Sequence, residues 1–150
     1  MVTDGMEEIR DSILTEEAYR VFAPCMYRPT WERFRERAEA WMRDDSARLL
    51  GTVEQGRLVG ICVARLTEAR AAVIEGIAVD AARRGQGIGK RLIRELCKRF
   101  DLTVLAAETD DDAVAFYRRC GFETAAMTAR YGDSECVRYR CILRHEKTGQ

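Results

Sequence analysis

The segment from Arg83 to Lys90 reads Arg-Arg-Gly-Gln-Gly-Ile-Gly-Lys, and it lies between an apolar run and a stretch with helical periodicity. Glycines have no Cβ, so backbone N–H groups can converge on an anion there, and the start of a helix adds a partial positive charge. Arg83, Arg84, Lys90 and Arg91 supply full positive charges. The segment therefore predicts a phosphate-binding turn between a strand and a helix.

Two common nucleotide motifs do not fit this turn. A Walker A loop places four residues between its first glycine and a Gly-Lys pair, which Ser or Thr follows. Here three residues separate Gly85 from Gly89, and Arg91 follows Lys90. A dinucleotide fingerprint needs glycines at relative positions one, three and six, whereas Gly85, Gly87 and Gly89 occupy one, three and five. The Walker reading fails clearly and the dinucleotide reading less decisively.

The segments on either side of the turn define its context. Ala71 to Asp80 is an apolar run that predicts a strand, and apolar residues recur every four positions from Ile88 to Phe100, which predicts a helix. Glu75 is the one charged residue inside the strand. After the helix, Leu102 to Ala107 predicts a second buried strand, and a strand–helix–strand crossover imposes a parallel pairing.

The rest of the chain adds further elements to this unit. Met6 to Ile13 fits either a short strand or an extension of the first helix, and we favour the strand. Gln55 and Gly56 separate two β-rich runs and predict a two-residue hairpin turn. Helices are predicted over Thr15 to Phe22, Trp31 to Met42 and Asp110 to Cys120, and strands over Arg48 to Glu54, Arg57 to Leu66, Phe122 to Arg130 and Glu135 to Leu143. The order predicts an α/β fold in one domain: a mixed, mostly antiparallel sheet of about six to seven strands with about four flanking helices.

Composition narrows the classes of protein. The 150 residues carry 25 basic and 25 acidic side chains, so no overall positive field favours nucleic acid or a membrane surface. No run of apolar residues is long enough to span a membrane, and the first ten residues do not resemble a signal peptide. The sequence thus predicts a cytoplasmic protein. The six cysteines lack metal-ligand spacing, so we expect buried thiols and no metal site.

Two segments of this chain resemble the GNAT superfamily of acyl-CoA-dependent N-acetyltransferases. Its signature of Gln or Arg, two residues, Gly, one residue, and Gly or Ala is matched by Arg84, Gly87 and Gly89. Asp112 to Phe122 is similar to a second family segment, in which an aromatic pair lies on a helix and Gly-Phe opens the next strand. The resemblance implies the family's central mixed sheet and an acetyltransferase activity.

The resemblance also implies acetyl-CoA as co-substrate. Its pyrophosphate would lie on the N–H groups of the turn, and its pantetheine arm would run like an added strand in an opening between the Ala71 and Leu102 strands. The implied binding residues are Ile77, Ala78, Val79, Arg84, Gly85, Gln86, Gly87, Ile88, Gly89, Lys90, Asp110 and Phe116. Many relatives carry asparagine in place of Asp110. An ionised aspartate accepts but does not donate, so that contact is in doubt.

Direct acyl transfer needs a proton donor for the departing thiolate and a base for the amine. Tyr117 occupies the position of the family's general acid; the competing interpretation is a core aromatic beside Phe116. Glu75 is the first candidate for the base, because a carboxylate desolvated on the same face as Ile77 would have a raised pKa. Glu108 and ordered water are the alternatives.

The acceptor amine is not identified by the sequence. The resemblance implies that the connections over 23–31 and 130–135 select it, and Asp133 with Glu135 is one candidate acidic pair for a cationic substrate. Two other classes of function remain open: a CoA-binding sensor without turnover, and a nucleotide-binding protein that uses the same turn. A homodimer is possible, but the sequence does not identify the oligomeric state.

Overall fold

Among the described residues, seven strands form a sheet at the centre of the fold, in the order β1-β2-β3-β4-β5-β7-β6. The computed structural model describes residues 5–131 and 134–145, with the side chains of 5–128 and 137–145. The strands are β1 (Gly5–Glu8), β2 (Ala47–Glu54), β3 (Arg57–Glu68), β4 (Ala71–Val79), β5 (Val104–Thr109), β6 (Glu123–Tyr131) and β7 (Ser134–Arg144). The helices are α1 (Glu16–Phe22), α2 (Trp31–Arg43), α3 (Ile88–Arg99) and α4 (Val114–Arg119). The predicted mixed, mostly antiparallel sheet with about four helices is confirmed.

The sheet is antiparallel at every pairing except that of β4 with β5. The hairpin between β2 and β3 turns through Gln55 and Gly56, whose φ angles are 50° and 77°. Two consecutive positive φ angles are typical of a type I′ turn, which matches the twist of the strands. The predicted hairpin is therefore confirmed.

The parallel pairing of β4 with β5 is short. It joins Ala71 to Val104, Ala72 to Leu105 and Val73 to Ala106, and it ends there although both strands continue. From Ile74 to Val79 the outer edge of β4 is consequently not paired with β5. This opening between the two strands confirms the predicted separation.

Helices cover the two faces of the sheet in pairs. The α1–α2 face is the side on which the core includes Phe22, Phe34, Ala38, Trp41, Ile61, Val63 and Ala78. The α3–α4 face is the side on which the core includes Cys62, Ala64, Ala72, Ile74, Leu92, Ile93, Leu96, Leu105, Ala107 and Tyr117. The opening between β4 and β5 thus connects two separately packed layers.

Side-chain caps explain where several elements begin. The Thr15 and Thr30 hydroxyls accept hydrogen bonds from the N–H groups of Ala18 and Arg33, so these two residues are the N-caps of α1 and α2. The start of α4 is different: Asp110 Oδ1 accepts from the N–H groups of Asp112 and Ala113 at 3.0 and 3.1 Å. This Asx turn delays the helix to Val114, so the predicted start at Asp110 is wrong.

The first element is a strand, as favoured, but a shorter one. β1 ends at Glu8, and residues from Arg10 to Ser12 form a single 3-10 turn. The Arg10 guanidinium donates to the carbonyl oxygens of Trp41 and Asp44 at 2.6 and 3.0 Å, which ties this turn to the end of α2. Within the described part of the chain, no helix combines the length and apolarity needed to cross a membrane.

Candidate active site

A row of free backbone N–H groups precedes and opens α3. None of the N–H groups from Arg84 to Lys90 has a hydrogen-bond acceptor among the described residues; the first one used in the helix is that of Arg91, which donates to Gly87 O at 3.0 Å. Gly85 and Gly87 have φ angles of 80° and 82°, and a Cβ added at either would meet no atom within 4 Å. Unpaired donors before and at a helix N-terminus are groups from which an anion could accept hydrogen bonds.

The cations of this turn are not all available to a ligand. Arg83 forms an ion pair with Glu54, and the Arg84 guanidinium donates from Nε to Val79 O at 3.2 Å. Lys90 and Arg91 are exposed and form no ion pair with another described residue. Of the four positive side chains expected at the turn, Arg83 and Arg84 are therefore engaged within the fold.

Gly89 has a packing role. A Cβ at this position would lie 2.8 Å from the Phe116 ring, too close for α3 and α4 to keep their positions. The Phe116 ring in turn lies edge-on to Tyr117, with centroids 5.2 Å apart. The absence of a side chain at Gly89 therefore allows α4 to approach the phosphate turn.

The edge of β4 presents polar backbone groups to the opening. Asp80 N–H donates to Val59 O at 2.8 Å, and Val79 lies opposite Gly60. Gly60 and Val79 therefore form a non-hydrogen-bonded pair of the antiparallel ladder, so the N–H and C=O of Val79 point away from β3. Those of Ile77, two residues earlier, point the same way, whereas Ala78 forms hydrogen bonds to β3. An extended ligand in the opening could pair with Ile77 and Val79, whereas Ala78 would only flank it.

Tyr117 is held in the aromatic part of the α3–α4 face. Its side chain is 6% exposed, and it packs edge-on against Phe116 and against Phe122, whose centroid lies 5.1 Å away. Burial raises the pKa of the phenol well above its usual range. The hydroxyl has no hydrogen-bond partner among the described residues. The group thus stays protonated at neutral pH and can donate a proton or a hydrogen bond.

Glu75 lies in a β-bulge of β4. Gly76 pairs with Val63 and Ile74 with Ala64, so Glu75 has no partner residue on β3. The bulge reverses the alternation of faces: a Cβ on Gly76 would lie 2.4 Å from the Phe22 ring, on the α1–α2 face, whereas Ile77 packs against the other core. The expectation that Glu75 shares a face with Ile77 is wrong, because an extra residue shifts the period.

The surroundings of Glu75 are polar and open to solvent. Its carboxylate lies 3.8 Å from Arg65 Nε, its side chain is 32% exposed, and its carbonyl oxygen accepts from Arg37 Nη2 at 3.4 Å. Arg65 and Arg37 approach from the α1–α2 face. The prediction that the Glu75 carboxylate is desolvated is therefore wrong. Glu75 and Tyr117 belong to opposite layers of the sheet, and the opening beside β4 lies between them.

The two other predicted acidic groups have different environments. Glu108 is exposed and lies opposite Arg140 of β7. The Asp110 carboxylate is engaged by the N–H groups of its own turn. Its neighbour Asp111 accepts from the Tyr139 hydroxyl at 2.7 Å, and this bond raises the pKa of Tyr139. This contact, which connects β7 to the start of α4, has no local sequence signal.

The cysteines, and the two connections expected to select the acceptor amine, were also predicted from the sequence. Cys62, Cys97 and Cys141 are buried, and burial raises the pKa of Cys62 to about 12. No group of three or more potential metal ligands occurs in 5–131 and 134–145 as far as these residues are described. In the 23–31 connection Tyr27 is 80% exposed. Asp133 and the side chain of Glu135, the candidate acidic pair, lie outside the described residues.

Comparison with known proteins places these features in a family. Residues 12–122 match the family described as Acetyltransferase (GNAT) family. A 61-residue stretch is 43% identical to N-alpha-acetyltransferase RimI of Mycobacterium tuberculosis. The stretch covers 39% of this chain and 39% of RimI. Across the curated relatives, the matched stretch spans 17% to 39% of their length.

Solved structures extend the likeness to the whole fold. The ribosomal-protein-S18-alanine N-acetyltransferase of Escherichia coli superimposes with a TM-score of 0.75 at 17% identity, covering 99% of this chain and 97% of that one. An aminoglycoside 6′-N-acetyltransferase solved with coenzyme A gives a TM-score of 0.77 at 16% identity over 100% of both chains. At such identities the likeness is one of fold.

Proposed function

Because the chain belongs to the GNAT acetyltransferase family, we propose that it transfers an acetyl group from acetyl-CoA directly to an amine. The observation that carries this proposal is the row of unpaired N–H groups from Arg84 to Lys90, beside an opening lined by the free edge of β4. Phosphates fit the first feature, and an extended chain of amides fits the second. Acetyl-CoA has both parts.

Different parts of the site would bind acetyl-CoA and the amine. The pyrophosphate would accept from the N–H groups of the turn, with Lys90 adding charge. The pantetheine amides would pair with Ile77 and Val79, once the Arg84 side chain leaves Val79 O. The amine would then approach from the α1–α2 face, where Glu75 lies beside the opening.

In the proposed reaction the neutral amine nitrogen attacks the thioester carbonyl carbon. A C–N bond forms and the C–S bond breaks. The amine loses one proton, to Glu75 or to a water beside it, and the departing sulfur gains one from the Tyr117 hydroxyl, which water later reprotonates. A phenol is protonated at neutral pH and burial keeps Tyr117 in that form, so its proton is present when the thiolate forms.

The experiment is product detection by mass spectrometry after incubation with acetyl-CoA and a panel of amines: amino acids, polyamines, aminoglycosides and peptides with free N-termini. Product masses are preferable to thiol reagents because the protein itself has six cysteines. We expect an acetylated product for at least one class, with far less product from Tyr117→Phe. Tight acetyl-CoA binding without product from any class would instead favour a CoA sensor.

A further inference from the structure

Four arginines surround the opening on the α1–α2 face. Arg37 and Arg65 reach it from the β4 side, where both contact Glu75. On the other side, Cys141 and Tyr139 of β7 belong to the α3–α4 layer. By alternation, Arg138 and Arg140 project from the α1–α2 face. The mouth of the opening therefore has positive side chains on both flanks.

No helix covers this face beyond β4 among the described residues. α1 packs on β3 and β4, whereas α4 packs on β6 and β7 from the opposite side. Arg140 is exposed, and Nε of Arg138 is buried without a hydrogen-bond partner. Neither guanidinium forms an ion pair with a described residue, although Glu108 lies opposite Arg140. Both positive charges therefore lack a counter-charge among the described residues, and that of Arg140 is exposed to solvent.

The charges occur in a definite order outward from the opening. Glu75 and Glu108 lie at its two edges; Arg65 Nε lies 3.8 Å from the Glu75 carboxylate, and Arg140 is the residue opposite Glu108 on β7. A carboxylate at the edge favours an ammonium group on the incoming acceptor, and an arginine further out favours a carboxylate. The complementary molecule therefore carries an amine and acidic groups at a short distance from it.

We propose that the acceptor is a peptide whose N-terminal amine is followed by acidic side chains, held by Arg138 and Arg140. This inference rests on the proposed function, since it names the substrate of that same site. Arg138 and Arg140 are about 7 Å apart along β7, which equals the spacing of alternate side chains in an extended peptide. Nucleic acid is less suited, because it has no ammonium group to face Glu75 and Glu108.

The test measures binding, so that it does not depend on turnover. Three peptides with free N-termini and a C-terminal fluorophore differ only in their second to fourth residues: Glu, Gln or Lys. Fluorescence anisotropy gives their affinities for the protein with and without CoA at low salt. We expect the Glu peptide to bind about tenfold more tightly than the Gln peptide, with the Lys peptide weakest.

Charge-reversal variants test whether Arg138 and Arg140 bind the acidic side chains of the peptide. Arg138→Glu with Arg140→Glu should remove the preference for the Glu peptide. Arg144→Glu is the matched control, because Arg144 lies on the same strand and face but opposite Val104, about 14 Å further along. It should change the preference less than about twofold. Circular dichroism of all variants shows whether they are folded.

Three results would overturn the proposal: equal affinity for the three peptides, an equal loss in Arg144→Glu, or tighter binding of a single-stranded RNA at the same arginines. Failure of the proposed function has a different signature. In that case no acetylated product forms, while the difference between Glu and Gln peptides and its dependence on Arg138 and Arg140 persist.

Discussion

The two faces of the sheet meet at the opening between β4 and β5, but they are built differently. On the α3–α4 face, Tyr117 is buried among aromatic rings, and the absence of a side chain at Gly89 lets Phe116 pack against α3. On the α1–α2 face, Glu75 and Arg65 are partly exposed and meet at 3.8 Å. Side-chain packing holds the groups of the α3–α4 face in place, whereas the groups of the α1–α2 face are charged and in contact with solvent.

This difference indicates how substitutions should act. A buried aromatic group or a turn glycine has few alternative positions, so its replacement should change rate or acetyl-CoA affinity strongly. Exposed ion pairs contribute little to stability, typically below about 1 kcal/mol. Substitutions of the charged side chains should therefore leave folding intact and change the use of the amine.

Tyr117→Phe tests the α3–α4 face and should have the largest effect. It removes the proton donor but keeps the ring, so we expect kcat to fall by about 100-fold or more. The acetyl-CoA dissociation constant should change less than about threefold. Steady-state kinetics and calorimetry give both values. A loss of acetyl-CoA binding with kcat preserved would show that the tyrosine is structural.

Gly87→Asp tests the phosphate turn. Aspartate tolerates positive φ better than most residues, but its charge would repel a phosphate, so we expect acetyl-CoA affinity to fall about 50-fold. Gly87→Asn separates charge from size, and Gly121→Asp, at a φ of 96° outside the turn, controls for backbone strain. Calorimetry should show near-normal binding for the Gly121 variant. Unchanged affinity in Gly87→Asp would place the phosphates elsewhere.

Glu75→Gln tests the α1–α2 face and should have a smaller effect. If Glu75 accepts the proton of the amine, kcat/KM for the amine should fall about tenfold, while water supplies the remaining rate. Acetyl-CoA affinity should not change. Glu108→Gln, on the other edge of the opening, is the matched comparison. A larger loss in Glu108→Gln would transfer the role of base to that residue.

Ionisation of the Tyr117 phenol should not contribute to the pH dependence of turnover. An ordinary phenol with a pKa near 10 loses its proton as pH rises, but burial shifts the pKa of Tyr117 upward, so the donor form persists above that value. Turnover should therefore not decline between about pH 8 and 10. Rates corrected for spontaneous thioester hydrolysis test this. A falling limb that disappears in Tyr117→Phe would contradict it.

The α3–α4 side could be predicted from sequence because its signals are local. The glycines of the turn, the period of α3 and the aromatic pair Phe116 and Tyr117 each lie within about a dozen residues. Backbone freedom and helix periodicity act over that range. The predicted parallel pairing is accordingly confirmed, and so is the opening beside β4, which the resemblance to the family implied.

The other side depends on contacts that local patterns do not contain. The bulge at Glu75 has no characteristic residue, so simple alternation assigned its side chain to the wrong face. The pairing of Arg83 with Glu54 and that of Tyr139 with Asp111 join distant parts of the chain. The alternation of Arg138 and Arg140 is visible in the sequence, but its meaning depends on where β7 lies in the sheet.

The proposed reaction depends most directly on binding of the acetyl-CoA phosphates by the turn from Arg84 to Lys90. Calorimetric titration of the purified protein with acetyl-CoA, CoA, ATP and NAD tests this binding without knowledge of the amine. We expect binding in the micromolar range for acetyl-CoA and CoA, and much weaker binding for ATP and NAD. Binding of ATP or NAD in preference to CoA, or no binding of CoA, would contradict it.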